Sequence, residues 1–257
     1  MLQRLLNAAN SRITNLWPAK LNFGKLRAPI ATISFDDFPR SAWTVGGRIL
    51  ESHGIRGTYF VSAAFSPDRL RNGAAYGITP GVTYYELDDL AAAYERGHEI
   101  GCHTFDHIRA PELTNEALEQ SLARNAEFVR HHLGDVIMTS FAFPQGAANV
   151  RVKRLASDHF AVCRGTWPGI NKGLFDLSLL RAVAIDADFE KKFRLADIIQ
   201  RAKAENAWVV FFTHDVDDHP STWGCTPKVL DSVVSQLLEQ GIEVLPLKNA
   251  LARVIFG

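Results

Sequence analysis

PIATISFDD, residues 29–37, carries a β-branched and apolar run straight into two adjacent carboxylates. The run reads as a first strand ending in Asp36 and Asp37. From there to the end of the chain, short apolar runs alternate with helical patterns, the signature of βα units and a mainly parallel sheet. A helix across Ala42 to Ser52, closed by Gly54, leads to a second strand in RGTYFVS (56–62), and HEIGCH (98–103) is a third. VIMTSFAFP (136–144), HFAVC (159–163), LLRAVAI (179–185), WVVFF (208–212) and GIEVLPL (241–247) follow as further strands. Between them, Leu87 to Arg96 is helical with Gly97 as its stop. Thr114 caps a helix whose end carries Arg130, His131 and His132, and Thr226 with Pro227 opens the last helix before Gly241. Seven or eight strands interleaved with helices predict a closed or partly closed α/β barrel in a single domain, with a doubly wound open sheet as the alternative. In either fold, ligands gather at the carboxyl ends of the strands.

Composition narrows the function. Twenty-eight basic residues balance 28 acidic ones in 257, so no overall field points to nucleic acid. Three widely spaced cysteines, Cys102, Cys163 and Cys225, predict structural thiols rather than a disulfide framework. No apolar run reaches the roughly 20 residues that span a bilayer, and no compact apolar secretion signal opens the chain, so a cytoplasmic location is expected. Residues 1–28 are set apart from the catalytic unit expected over 29–257: they contain Arg4, Arg12, Lys20, Lys25 and Arg27 with no acid, while Leu2, Leu5, Leu6, Ala9, Ile13, Leu16 and Trp17 recur at helical spacing. That basic amphipathic pattern fits a helix on an anionic membrane, a helix packed on its own domain, or a transit peptide. Oligomeric state is not legible.

The polar residues at the strand ends converge. Asp36 and Asp37 follow the first strand, His103 and His107 the third, Phe143-Pro144-Gln145-Gly146 the fourth, and His214 with Asp215 the seventh. Two imidazoles and a carboxylate leave a divalent cation with open positions, as in hydrolytic zinc sites and some non-haem iron sites. Taken singly, a paired acid after a strand is usually a solvated turn. The long stretch SPDRLRNGAAYGITPG (66–81) exceeds an ordinary connection and is expected to cover a site.

SFDD, HTFDH, FAFPQG and FFTHDV, with GTYFV and GHEIGCH, resemble the successive motifs of the polysaccharide deacetylase family, carbohydrate esterase family 4, in order from about residue 30 to 250. The resemblance implies a distorted barrel of βα repeats and metal-assisted hydrolysis of an N-acetyl group on an amino sugar. It makes Asp36 the base, gives the metal to Asp37, His103 and His107, and makes His214 the general acid. The cation implied is zinc, with cobalt, manganese and iron suited to the same ligands. It gives the oxyanion to the turn Pro144-Gln145-Gly146 through the Gln145 N–H. Trp167 and Trp223 offer apolar platforms to a sugar ring, or anchor their loops.

This chain departs from the family pattern at Ala142, at Gln145, where a tyrosine often stands, and around His214. Ala142 stands where an arginine often orients the base, and Arg181 on the sixth strand is the candidate replacement, or else pairs with a structural carboxylate. No aspartate is clearly placed to tune His214; Asp186 is a candidate and Asp215 a poorer one. The expected substrate is an N-acylated sugar in a glycan or glycan precursor, with residues 1–28 bringing the enzyme to a lipid-linked form. A non-haem iron oxygenase and a catalytically silent carbohydrate-binding homologue are the rival readings.

Overall fold

Eight parallel strands form one sheet in the computed structural model, which describes residues 13–73 and 77–256. They are β1 (Ile30–Asp36), β2 (Thr58–Val61), β3 (Glu99–Cys102), β4 (Ser140–Ala142), β5 (Val162–Arg164), β6 (Val183–Ala184), β7 (Trp208–Thr213) and β8 (Glu243–Val244). The order is β5-β4-β3-β2-β1-β7-β6, with β8 also paired to the first residues of β1. The chain between β5 and β6 curls the two edges toward each other. The Leu180 N–H donates to the Cys163 carbonyl (2.8 Å), the Gly165 N–H donates to the Leu180 carbonyl (3.0 Å), and Val183 and Ala184 then pair with Phe211 and Phe212. The result is the distorted βα barrel expected.

Alternation along each strand sorts its residues between two cores. Ala31, Ile33 and Phe35 of β1, Cys102 of β3 and Cys163 of β5 face the surrounding helices. Ile30, Phe60, Ala142, Val162, Trp208, Val210 and Phe212 face the barrel interior. The last interior positions of β1, β5 and β7 carry Asp36, Arg164 and Phe212, and continuing the same alternation past β3 and β7 reaches His103 and His214. All three cysteines are buried free thiols, as expected, and burial pushes Cys102 up to about 11 and Cys225 to about 12.

Helices surround and plug this barrel, among them α1 (Leu87–Glu95), α2 (Asn115–Leu133), α3 (Val150–His159), α4 (Leu195–Glu205), α5 (Pro227–Glu239) and α6 (Leu247–Phe256). The sequence-expected caps are present, with Thr114 Oγ1 accepting from the Ala117 N–H (3.2 Å) and Thr226 Oγ1 accepting from the Val229 N–H (3.3 Å). The final helix closes the amino-terminal end of the barrel. Leu247, Ala250, Leu251 and Val254 share a cluster with Ile30, Val162 and Trp208, the first residues of their strands. Glu99 fastens it there, accepting from Thr58 Oγ1 (2.9 Å), Ser140 Oγ (2.6 Å) and the Lys248 N–H (2.9 Å). That leaves the carboxyl-terminal rim of the barrel open.

Of the amphipathic pattern expected over residues 1–28, positions 1–12 lie outside the described residues. One helical turn follows at residues 13–16 and stops before Trp17-Pro18, since a residue preceding proline is pushed out of helical geometry. Residues 19–24 then run as an extended strap: the Asp176 carboxylate accepts from the Ala19 and Lys20 N–H groups (3.2 and 3.0 Å), and the Asn22 N–H donates to the Phe175 carbonyl (2.8 Å). The fully buried Lys153 Nζ donates to the Thr14 carbonyl (2.5 Å) and pairs with Asp176 (2.8 Å). Among the described residues, no helix is long and apolar enough to cross a membrane.

Candidate metal centre and active site

Side chains from β1 and from the loop after β3 meet at the open rim. Asp37 Oδ1 lies 3.0 Å from His107 Nε2 and 3.3 Å from His103 Nε2, and all three residues are buried. His103 Nδ1 lies 2.8 Å from the Ala142 carbonyl, a contact that only an Nδ1–H can use as a hydrogen bond, so Nε2 keeps its lone pair turned toward Asp37. Burial raises the Asp37 carboxyl, but the electrostatic pull of His107 and His103 outweighs it and holds the group well below the usual carboxylate range. Asp37 Oδ1 has no aligned hydrogen-bond donor. The fit to a divalent cation follows from those separations. Ligand bonds of about 2.0–2.2 Å in tetrahedral geometry place neighbouring ligand atoms about 3.3 Å apart. Among the described residues, these three are the one group of His, Cys, Asp and Glu whose ligand atoms converge in this way.

The loops holding the site are strained. Asp37, Phe38, Thr104, His107 and Gln145 all have positive φ, between 52° and 64°, without being glycine. Such left-handed residues cost about 1 kcal/mol or more each, a cost met here by the sheet and its core. Gly77, from the long stretch between β2 and α1, has φ +76°, and a Cβ there would lie 2.9 Å from His107 Nδ1. The described part of that stretch therefore packs against His107 at Gly77.

Asp36 is the last residue of β1 and is buried. Its partner is Arg164 rather than Arg181. Arg164 Nη2 donates to Asp36 Oδ1, Nη1 donates to the Gly165 carbonyl (3.1 Å), and the guanidinium lies 4.5 Å from the Phe212 ring centroid and 5.2 Å from that of Phe60. Arg181 is exposed, and its Nη1 donates to the Pro168 carbonyl (3.3 Å). The physical reason is alternation: Leu180 and Ala182 belong to the interior cluster, so Arg181 between them points outward. The sequence reading missed Arg164 because it ended the fifth strand at Cys163, one residue too early. With Val162 facing inward, Arg164 must face inward as well.

His214 Nε2 lies 3.9 Å from Asp37 Oδ2, with the ring partly exposed, while its buried Nδ1 has no hydrogen-bond partner. Neither proposed tuning carboxylate bonds to it. Asp186 accepts from Lys192 Nζ (2.7 Å) and the Asp188 N–H (3.0 Å), and Asp215 is held by the Ser221 N–H (2.6 Å) and hydroxyl (2.5 Å). Asp186 nonetheless lines the cleft that His214 faces.

That cleft measures about 860 Å³ and exposes Asp36, Asp37, His103, His107 and His214 together with Gln145, Gly146, Ile78, Pro80 and Trp223. Trp223 stands beside the acid candidate, its ring 6.4 Å from that of His214. Trp167 is not in this cleft. It lines an adjoining pocket of about 230 Å³ that shares Gly146 and Thr166 with the main one and has Thr14 and Asn15 of the amino-terminal segment in its wall. The turn Pro144–Gly146 is tight: Gly146 has φ +63°, and a Cβ on it would come within 2.2 Å of Thr166 Oγ1.

Comparison with known proteins is consistent with this geometry. The model of the polysaccharide deacetylase family matches residues 24–161. Among solved structures, a family 4 carbohydrate esterase from Bacillus anthracis superposes with TM-score 0.58 at 15% identity, over 98% of this chain and 93% of that one. The peptidoglycan deacetylase PdaC from Bacillus subtilis does so with TM-score 0.53 at 15% identity, over 88% and 92%. A carbohydrate esterase family 4 pseudoenzyme from Bacillus anthracis gives TM-score 0.57 at 16% identity, over 91% and 69%. At these identities the likeness is one of fold. Among curated proteins, none matches the chain.

Proposed function

The chain belongs to the polysaccharide deacetylase family, and from that premise we propose that it hydrolyses the N-acetyl group, or a similar small N-acyl group, of an amino sugar in a glycan or glycan precursor. The observation that carries this reading is the division of labour between two adjacent carboxylates. Asp37 Oδ1 faces two imidazole nitrogens and has no aligned donor, whereas Asp36 is gripped by a buried guanidinium beside the same cleft.

In the proposed mechanism, Asp37, His103 and His107 hold a divalent cation, with zinc best matched to the donor set. A cation bound there supplies Lewis acidity and brings the pKa of water to roughly 7. Asp36 accepts a proton from the water that attacks the amide carbon, and Arg164 fixes the orientation of the carboxylate while it does so. The Gln145 N–H, in a turn bent by two positive-φ residues, donates to the developing oxyanion. His214 then passes a proton to the departing nitrogen, so that the C–N bond breaks to give a carboxylate and a free amine. The silent-homologue reading would sit better with loss of one of these groups, and here both Asp36 and His214 are present at the rim.

The test is to incubate metal-loaded protein with N-acetylated nucleotide sugars, lipid-linked sugars and chitooligosaccharides, and to follow new primary amines. Amine release that a chelator abolishes and added metal restores is the expected result. Absence of amine from every substrate, or product formation coupled to oxygen uptake, would defeat the reading.

A further inference from the structure

We propose that a strip of exposed apolar side chains along the amino-terminal strap and the end of α6 seats this protein on an anionic lipid surface. Among the described residues, twelve large apolar side chains are exposed, and seven of them come from two segments. Ile13, Leu16, Trp17, Leu21 and Phe23 fall within eleven residues of chain, and Ile255 and Phe256 close α6. Leu16, Phe23 and Phe256 are 79%, 83% and 86% exposed.

The groups at the carboxyl end of the strap adjoin those of α6. The backbone at Gly24 presses on α6 so closely that an added Cβ would lie 1.9 Å from the Val254 carbonyl oxygen, which brings Phe23 beside Ile255 and Phe256. Leu21 bridges Asp176 in antiparallel fashion, and the exposed Leu174 stands two residues away across that bridge. Along the strap Leu21 and Phe23 alternate with the buried Asn22, so the inward positions are polar and anchored while the outward ones are apolar. Isolated exposed apolar residues are ordinary on a protein surface, but a contiguous set calls for an apolar partner.

Charge chooses among the partners. Lys25 and Arg27 are exposed beside the strip, and among the described residues neither pairs with a carboxylate. No acidic residue occurs anywhere in positions 1–30. A second copy of the chain would bring these cations face to face with no acid on the strap to receive them. An apolar surface edged with negative charge satisfies both halves of the strip, and that is the interface of an anionic leaflet, where each nearby Lys or Arg adds about fivefold to the affinity. This inference goes beyond the deacetylase reading and does not depend on it, because the contact is measured without turnover.

The experiment is sedimentation of the full chain with phosphatidylcholine vesicles prepared with and without phosphatidylglycerol. Binding only to the phosphatidylglycerol vesicles, weakened by salt, is expected. The double variant Phe23→Asp/Phe256→Asp is expected to bind about tenfold or more weakly, and Lys25→Glu/Arg27→Glu to lose most of the preference for the anionic lipid. Both pairs are exposed, so unchanged thermal unfolding will show that the fold is intact. No binding to anionic vesicles, or equal binding by the variants, would overturn the proposal. So would light scattering that finds a wild-type dimer dissolved by the Phe variants, which would make the strip a self-interface.

Discussion

Asp36 and Arg164 form the contact on which the proposed chemistry turns, and both lie at the interior end of a strand with almost no access to water. Replacing Asp36 by Asn keeps the shape but removes the base, so deacetylation should fall by about 10²–10⁴-fold with the fold unchanged. Arg164→Ala should act twice. It leaves a buried carboxylate without its counter-ion, costing about 3 kcal/mol or more in a denaturant titration, and the freed Asp36 should lower kcat more than it raises KM. Arg181→Ala is the matched control, because that side chain is exposed and donates to the Pro168 carbonyl rather than to a carboxylate; stability and kcat should stay close to wild type. Equal losses for the two arginine variants would contradict the assignment of Arg164. How legible these residues were depended on strand parity. Asp36, Asp37, His103, His107 and His214 stand in recognisable motifs and occupy one cleft. Arg164 carries no motif, and only the strand boundary and the inward face of Val162 would have revealed it.

Loops and junctions between elements carry the strain and the pH dependence. Gly77→Ala should disturb the centre without touching the ligands, since the new Cβ would meet His107 and Gly77 has positive φ. Weaker metal binding, measured by calorimetry, is the expected result, and an unchanged affinity would show that the loop gives way instead. At the junction of β2 and β3, the Gly57 N–H donates to His98 Nδ1 (3.1 Å), and burial pushes His98 down to about 4 despite the nearby Glu51. In the unfolded chain this imidazole titrates near 6.5, so between about 4 and 6.5 the unfolded state binds more protons than the folded one. Stability therefore rises with pH across that window and is lost as pH falls through it, by up to about 3 kcal/mol. Urea midpoints measured from pH 4 to 7 should show this slope in the wild type and a flatter one in His98→Gln, and parallel curves would contradict it. Element by element, all eight strands were legible, but their ends were not. LLRAVAI shrinks to the pair Val183–Ala184, because that segment crosses from β5 to β7 and is paired only in passing.

At the scale of the whole molecule, the barrel explains why distant residues meet. Parallel strands carry every interior position toward the same end, α6 fills the opposite end with Leu247, Ala250, Leu251 and Val254, and the polar residues are left at the one open rim. The alternation of strands and helices was enough to read this from the sequence. The curl was not, since it depends on how residues 177–184 bridge the two sheet edges. Of the apolar helical period that runs to Trp17, the described residues 13–16 form a helical turn, whereas the strap beyond it, which Asp176 holds by the Ala19 and Lys20 N–H groups, was not legible from a hydrophobic period. The central claim is that Asp37, His103 and His107 grip one divalent cation beside Asp36. Its most direct measurement is anomalous diffraction at the zinc edge from crystals grown with zinc. A single strong peak within about 2.0–2.2 Å of Asp37 Oδ1 and both Nε2 atoms is predicted; no peak between them at saturating zinc would contradict the account.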